Sequence, residues 1–95
     1  LNQTRTNLGI ALSQKGEKEE AIVHLREAIK INPAFALAHF SLGNVLFQTG
    51  EAEEAITHYR EAVRIKPAFL LFRKILEEVL RRTNKLEESK TKFAP

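Results

Sequence analysis

Cysteine, methionine and tryptophan are all missing from this 95-residue chain. The lack of cysteine excludes disulfide bonds and cysteine-ligated metal sites. It also fits a reducing compartment, so the cytoplasm is the default localisation. No apolar run approaches the roughly 20 residues that a membrane-spanning helix needs, and no signal peptide is visible, so we expect no membrane insertion. The chain begins at Leu1 without a methionine, and we interpret it as a fragment of a longer protein.

Glycine and proline are scarce, with four and three residues respectively, and their placement is periodic. The glycines form two pairs and two of the prolines form a third, each pair 34 residues apart: Gly9 and Gly43, Gly16 and Gly50, Pro33 and Pro67. The same shift aligns further residues of both halves: Leu8 with Leu42, Leu12 with Leu46, Ala21 with Ala55, His24 with His58, Ala28 with Ala62, and Phe35 with Phe69. A sustained period of this length indicates an array of helical repeats.

Each repeat unit predicts two antiparallel helices. Apolar residues recur at helical spacing on both sides of a central glycine. Gly16 and Gly50 are predicted to end the first helices, because glycine adopts the left-handed conformation that terminates a helix. Pro33 and Pro67 are predicted to end the second helices. We therefore expect an all-α fold with one domain over residues 1–95, made of units 2–35 and 36–69 and a degenerate or truncated unit 70–95.

The third unit departs from the other two. Glu77 replaces the first glycine of the unit, and Asn84 replaces the second. Asparagine is the next best residue for a left-handed helix cap, so we predict a turn at Asn84 and a second helix after it. Phe93 would take the place of Tyr59 in that helix.

The aligned residues resemble the tetratricopeptide repeat family, whose 34-residue pattern is W-x2-L-G-x2-Y followed by A-x3-F, A and P. The matching positions are Leu8, Gly9, Leu12, Ala21, Leu25, Ala28 and Pro33 in the first unit and Leu42, Gly43, Leu46, Ala55, Tyr59, Ala62 and Pro67 in the second. The tryptophan position departs from the pattern and holds Arg5, His39 and Arg73. The resemblance implies a right-handed superhelical array of antiparallel helix pairs, an α-α solenoid of about 2.5–3 units.

The resemblance also implies a function, since the first helices of such units line a concave groove that binds a peptide or partner helix. By position, the candidate peptide-binding residues are Asn7, Ile10, Leu37, Phe40, Ser41, Asn44, Phe47, Gln48, Lys74, Glu78 and Arg81. Large apolar side chains on an exposed helix face mark contact surfaces, and asparagine amides bond both to a peptide N–H and to a C=O. Packing of Phe40 and Phe47 against neighbouring helices is the open alternative. Some chaperone-binding relatives hold an acidic peptide end with a basic clamp, and none of its positions here is Lys, Arg or Asn: Thr6, Ile10, Ser41, Leu71 and Ile75.

Three other hypotheses remain beside the peptide-binding scaffold. Self-association through the exposed ends of the array would make the chain a homo-oligomer, and the apolar stretch 69–72 is the candidate surface. Binding of RNA is the weakest hypothesis, because the groove positions of the first two units carry no Lys or Arg to neutralise phosphates, and we expect no nucleic-acid partner. Lys74, Arg81 and Arg82 form either a solvated face or a surface for an acidic partner.

No chemistry beyond binding is predicted. The sequence offers no set of nucleophile, base and orienting residue and no glycine-rich phosphate loop, so we expect neither an enzyme nor a cofactor. His24 and His58 stand one repeat apart without accompanying Cys or acidic ligands, and we expect them to be structural rather than to bind a metal. His39 lies at a packing position and is predicted to be a spacer between helices.

Overall fold

The computed structural model describes the backbone of residues 2–92 and the side chains of residues 3–84. Within that range the chain forms five helices and no strand. The helices are α1 (Asn2–Gln14), α2 (Lys18–Ile31), α3 (Ala36–Gln48), α4 (Ala52–Ile65) and α5 (Leu70–Lys92). The first four make two antiparallel pairs, and α2 packs on α3 as α4 packs on α5. The expected all-α helical-repeat fold is confirmed.

The two short turns that end α1 and α3 have the same geometry. Gly16 and Gly50 both have a φ of 88°, which is the left-handed region. After α3, the Gly50 N–H donates to the Phe47 carbonyl at 3.2 Å and the Glu51 N–H donates to the Leu46 carbonyl at 2.9 Å. This pair of bonds is the Schellman motif, which satisfies carbonyls that the end of a helix leaves without partners. The predicted breaks at both glycines are confirmed.

The other two glycines allow the helices of each pair to approach closely. A Cβ on Gly43 would lie 2.9 Å from Cε1 of Tyr59, and a Cβ on Gly9 would lie 2.7 Å from Cγ of Leu25. Tyr59 and Leu25 fill the space beside these glycines and are themselves buried. Small residues thus allow the two helices of each pair to lie close together. The main core cluster consists of Ala21, Leu25, Leu42, Val45, Leu46, Ala55, Tyr59 and Val79.

The third unit is a single helix rather than a pair, so the prediction of a turn at Asn84 is wrong. Helix α5 runs without interruption from Leu70 to Lys92, and no residue other than glycine has a positive φ in the described backbone. Asparagine pays a steric cost for the left-handed conformation that glycine does not, and Glu77 puts a long side chain where close pairing needs a glycine. Because both glycines are replaced, a continuous helix has a lower free energy than two helices joined by a left-handed turn at Asn84. Phe93, which was predicted to pack like Tyr59, lies outside the described residues.

The position that the family pattern fills with tryptophan has a polar role in this chain. His39 Nε2 lies 2.9 Å from the carbonyl oxygen of Pro33, and Arg73 Nη2 donates to the carbonyl of Pro67 at the same distance. In each case the side chain bonds back to the proline that ends the preceding unit. The expected spacer at His39 is therefore also a hydrogen-bond donor, a role that the sequence pattern did not indicate. None of the helices in the described range is both long enough and apolar enough to cross a membrane.

Candidate binding groove

Helices α1 and α3 border a concave pocket of about 310 Å³. These helices belong to different units and contact each other directly, so the pocket lies across the junction between the repeats. The residues that line it are Ile10, Ser13, Gln14, Leu37, Phe40, Ser41, Asn44, Val45 and Gln48. None of these nine described residues carries a charge, and their polar groups are amides and hydroxyls. The pocket therefore offers apolar contact and neutral hydrogen-bonding groups to a ligand.

Six of the candidate residues meet at this pocket: Ile10, Leu37, Phe40, Ser41, Asn44 and Gln48. Three further residues line it, namely Ser13, Gln14 and Val45. Ser13 and Gln14 lie on the groove strip that the resemblance implies for the first unit, whereas Val45 is not on the implied strip of the second. Gln14 is also the repeat equivalent of Gln48. The two glutamines place one amide from each repeat at the same pocket.

Phe40 has both of the roles that the sequence left open. Its ring lines the pocket. The same ring lies 5.7 Å from the Tyr59 ring in an edge-to-face arrangement and 4.6 Å from the Phe72 ring, measured between centroids. Phe47, in contrast, packs against the core cluster and is not part of the pocket lining. Phe40 packs against the main core cluster and against a smaller cluster of Ala36, Ala62 and Phe72, and so connects the pocket to both.

Asn44 is oriented by a hydrogen bond from the core. The Tyr59 hydroxyl donates to Oδ1 of Asn44 at 2.5 Å. Burial raises the pKa of Tyr59 to about 12, so the hydroxyl stays protonated at neutral pH and remains the donor. The bond uses one lone pair of Oδ1 and fixes the orientation of the amide, and the amide nitrogen keeps two N–H groups that can donate. Asn44 is therefore an oriented hydrogen-bond donor at the pocket.

The other candidate residues lie away from the pocket lining. Asn7 and Lys74 are exposed on α1 and α5. Glu78 forms ion pairs with both Arg81 and Arg82 on α5. Glu78 offsets one of the two arginine charges, so the net positive charge at this end of the candidate strip is smaller than the two arginines alone would give.

Two residues correct the sequence interpretation in other ways. Thr6, which the resemblance placed on the groove, is fully buried, and its hydroxyl has no hydrogen-bond partner among the described residues. His58 does not lie against its repeat equivalent His24 but against His39, with the two Nδ1 atoms 3.0 Å apart. No group of three or more histidine or acidic side chains that could hold a metal occurs in the described part of the chain.

Comparison with known proteins gives two family matches. A model described as "TPR repeat" matches residues 9–50, and one described as "Tetratricopeptide repeat" matches residues 36–69. Together they span more than half of the chain. A search among curated proteins found no match.

Solved structures give a similarity over nearly the full length. One, titled "Crystal structure of MamA protein", superposes with a TM-score of 0.73 at 28% identity and covers 99% of this chain and 58% of its own. A second, titled "Crystal structure of MamA", gives a TM-score of 0.73 at 28% identity and covers 97% of this chain and 61% of its own. This chain therefore spans about three fifths of the length of these two proteins.

Proposed function

Because the chain belongs to the tetratricopeptide repeat family, whose usual role is to mediate contacts between proteins, we propose that its pocket between α1 and α3 binds a peptide or partner helix. The repeats of this family are typically scaffolds without catalytic activity. The proposed role for this chain is accordingly binding rather than catalysis.

The observation that carries the proposal is the chemistry of the pocket. Ile10, Leu37 and the half-buried ring of Phe40 supply apolar surface, and Asn44 supplies an oriented donor. Pockets that combine apolar walls with a few placed polar groups are the usual form of a binding site. Since none of the residues lining the pocket is charged, we expect the bound segment to be neutral where it meets the pocket. The lack of Lys and Arg in the lining also speaks against a phosphate backbone as the ligand.

The experiment is selection of peptides from a displayed library, followed by titration calorimetry of the selected peptides with single variants. Leu37→Glu places a charge in the neutral pocket, and we expect it to weaken binding by at least about tenfold, the equivalent of about 1.4 kcal/mol. Phe40→Ala and Asn44→Ala are less suitable variants, because both side chains also contact Tyr59 and their loss would disturb the core.

Val23→Glu is the matched control. Val23 lies on α2, is exposed and does not line the pocket, so it receives the same charge at a site outside the proposed contact. The pocket assignment is wrong if the selected peptides bind Leu37→Glu and Val23→Glu with equal affinity. A library that yields no binder to the folded wild-type chain would also count against it.

A second candidate function is self-association, and the exposure of equivalent residues favours it. Leu70 is 59% exposed, whereas its repeat equivalent Ala36 is 2% exposed. Leu8 is 43% exposed, whereas its equivalent Leu42 is fully buried. Phe69 and Leu71 are exposed as well. Apolar side chains are therefore uncovered at both ends of the described array, as is expected where repeats lack a neighbour.

Analytical ultracentrifugation of the chain tests this second candidate. We expect wild type to form oligomers, and Leu70→Glu combined with Leu71→Glu to be a monomer. Val23→Glu is again the control, because it adds a charge at an exposed apolar residue on a different surface. A wild-type chain that stays monomeric at high concentration would exclude self-association.

A further inference from the structure

Two histidine rings from neighbouring helices meet head-on inside the second repeat. His39 on α3 is 6% exposed, and its Nδ1 lies 3.0 Å from Nδ1 of His58 on α4. The ring centroids are 5.3 Å apart with an interplanar angle of 28°. For two imidazole rings whose Nδ1 atoms are 3.0 Å apart, a centroid separation of 5.3 Å is close to the maximum. Both Nδ1 atoms therefore lie near the line that joins the ring centres. That is the geometry of an in-line N–H···N hydrogen bond.

The position of the shared proton follows from the third partner. His39 Nε2 lies 2.9 Å from the carbonyl oxygen of Pro33, and a carbonyl can only accept. His39 therefore carries its proton on Nε2, and its Nδ1 is bare when the ring is neutral. It follows that His58 must carry a proton on Nδ1 to form the bond between the rings. The hydrogen-bonding pattern allows one proton between the two Nδ1 atoms and no more.

The histidine pair belongs to a longer series of polar contacts across the junction between the repeats. Nε2 of His58 faces Oε2 of Glu54 at 3.8 Å, and the same oxygen lies 2.8 Å from Nη2 of Arg26 on α2. The series thus runs from Arg26 in the first repeat through Glu54, His58 and His39 to the Pro33 carbonyl, which follows α2. Both ends lie in the first repeat, and the centre lies in the second.

Acid places more protons on the unfolded chain than on this pair. The pKa of His58 lies below its ordinary value because burial disfavours the charged ring and because His39 opposes a second charge; Arg26 lowers the pKa further, while Glu54 and Glu61 raise it without prevailing. When both rings carry protons on Nδ1, two N–H groups point at each other and the bond is lost. Two histidines in an unfolded chain each take up a proton near their ordinary pKa of about 6.5. At a pH below that pKa the folded state binds fewer protons than the unfolded chain. The free energy of unfolding therefore has its full value above that pH and decreases as the pH falls.

We propose that the His39–His58 hydrogen bond makes the packing of α3 on α4 within the second repeat acid-sensitive, with the contact intact at neutral pH and broken when both rings are protonated. The inference concerns this helix pair and does not depend on what the pocket binds. Phe40 and Ser41, which line the pocket, directly follow His39 in α3. A change of ligand binding on acidification is therefore a second consequence, and that consequence alone depends on the proposed function.

The test is urea unfolding of wild type and of His58→Asn between about pH 5 and 8, the range in which histidine titrates. The asparagine amide can donate to His39 Nδ1 as the ring does, and it can rotate to accept once His39 is protonated. Below about pH 6, each further pH unit should raise the unfolding equilibrium constant of wild type by a factor about ten times larger than that of the variant. This difference corresponds to one extra proton bound by the unfolded wild-type chain.

His24→Asn is the matched control, because His24 holds the same repeat position on α2 and the residue at the place of His39 in its own repeat is Arg5. This variant should keep the wild-type pH dependence. Nitrogen NMR of the wild-type chain labelled at histidine is the second measurement, and it needs no variant to fold. We expect a scalar coupling between the two Nδ1 atoms at neutral pH that disappears in acid. Equal pH dependence of wild type and His58→Asn, or two rings that titrate independently at ordinary values, would overturn the proposal.

Discussion

Replacing Leu42 with alanine measures how strongly the two repeats depend on each other, because an equivalent leucine exists without the same neighbours. Leu42 on α3 is fully buried, in a cluster that includes Leu25 of the first repeat and Tyr59 of the second. Leu8 holds the same repeat position on α1 and is 43% exposed. Sequence position, residue type and helix are matched, so the pair isolates the effect of packing by the preceding unit.

The two substitutions should differ in cost by about 2 kcal/mol. Truncating a leucine in a closed core removes its transfer free energy and leaves a cavity, which together cost about 2–5 kcal/mol. At position 8 nearly half of the side chain is already in water and no closed cavity forms. The loss there is part of the roughly 1.5–3 kcal/mol for burying a whole leucine, and we expect about 1 kcal/mol.

Urea unfolding followed by far-ultraviolet circular dichroism gives both values in one assay. We expect Leu42→Ala to lower the midpoint clearly more than Leu8→Ala, with an unchanged dependence on denaturant in both. Equal losses would show that stacking of one repeat on the next contributes little, and that each helix pair is stable on its own. That result would contradict the principle that such arrays derive stability from the interfaces between repeats.

Four further substitutions test the local geometry. Tyr59→Phe removes the bond to Asn44 and should cost about 1 kcal/mol at neutral pH; because the pKa of Tyr59 is raised to about 12, wild type should also lose stability as the pH rises from about 10, and the variant should not. Near-ultraviolet absorbance checks the titration directly, since Tyr59 is the chain's single tyrosine. Gly43→Ala should be destabilising by thermal unfolding, because overpacking costs about 1–3 kcal/mol and exceeds the gain of about 1 kcal/mol in helix propensity, whereas Glu77→Ala should change stability by less than about 0.5 kcal/mol. Gly50→Ala should lower stability by about 1–2 kcal/mol, because alanine has to adopt the left-handed conformation; an unchanged melting temperature would contradict the assigned turn.

The fold was predictable because its determinants repeat. Glycine in a left-handed turn and glycine beside a large side chain are requirements of single positions, and each is met twice at the same spacing, as at Gly16 and Gly50. A comparison of two units within one chain then separates required residues from tolerated ones. The turn at Asn84 was mispredicted for the same reason, since the alignment carried the turn over to a residue that lacks the property on which the turn depends.

The pocket was less predictable because its residues do not repeat. The resemblance supplied the correct helices, and six candidates lie at one pocket. It did not indicate that Glu78 would be engaged by two arginines of its own helix, or that Thr6 would be buried. Those outcomes depend on which side chains surround a position, and neighbours from other helices are not visible in a helical pattern.

The comparison of repeat-equivalent positions explains why departures from the period matter more than the period itself. Positions 24 and 58 both hold histidine, yet only His58 has a histidine opposite it, because position 39 differs from position 5. Nδ1 of His24 is buried without a hydrogen-bond partner among the described residues, whereas Nδ1 of His58 bonds to His39. The same residue is thus a packing element in one repeat and a titratable contact in the next. A match between repeats predicts the backbone conformation around a side chain. The residue opposite it in the helix pair determines which contact that side chain makes.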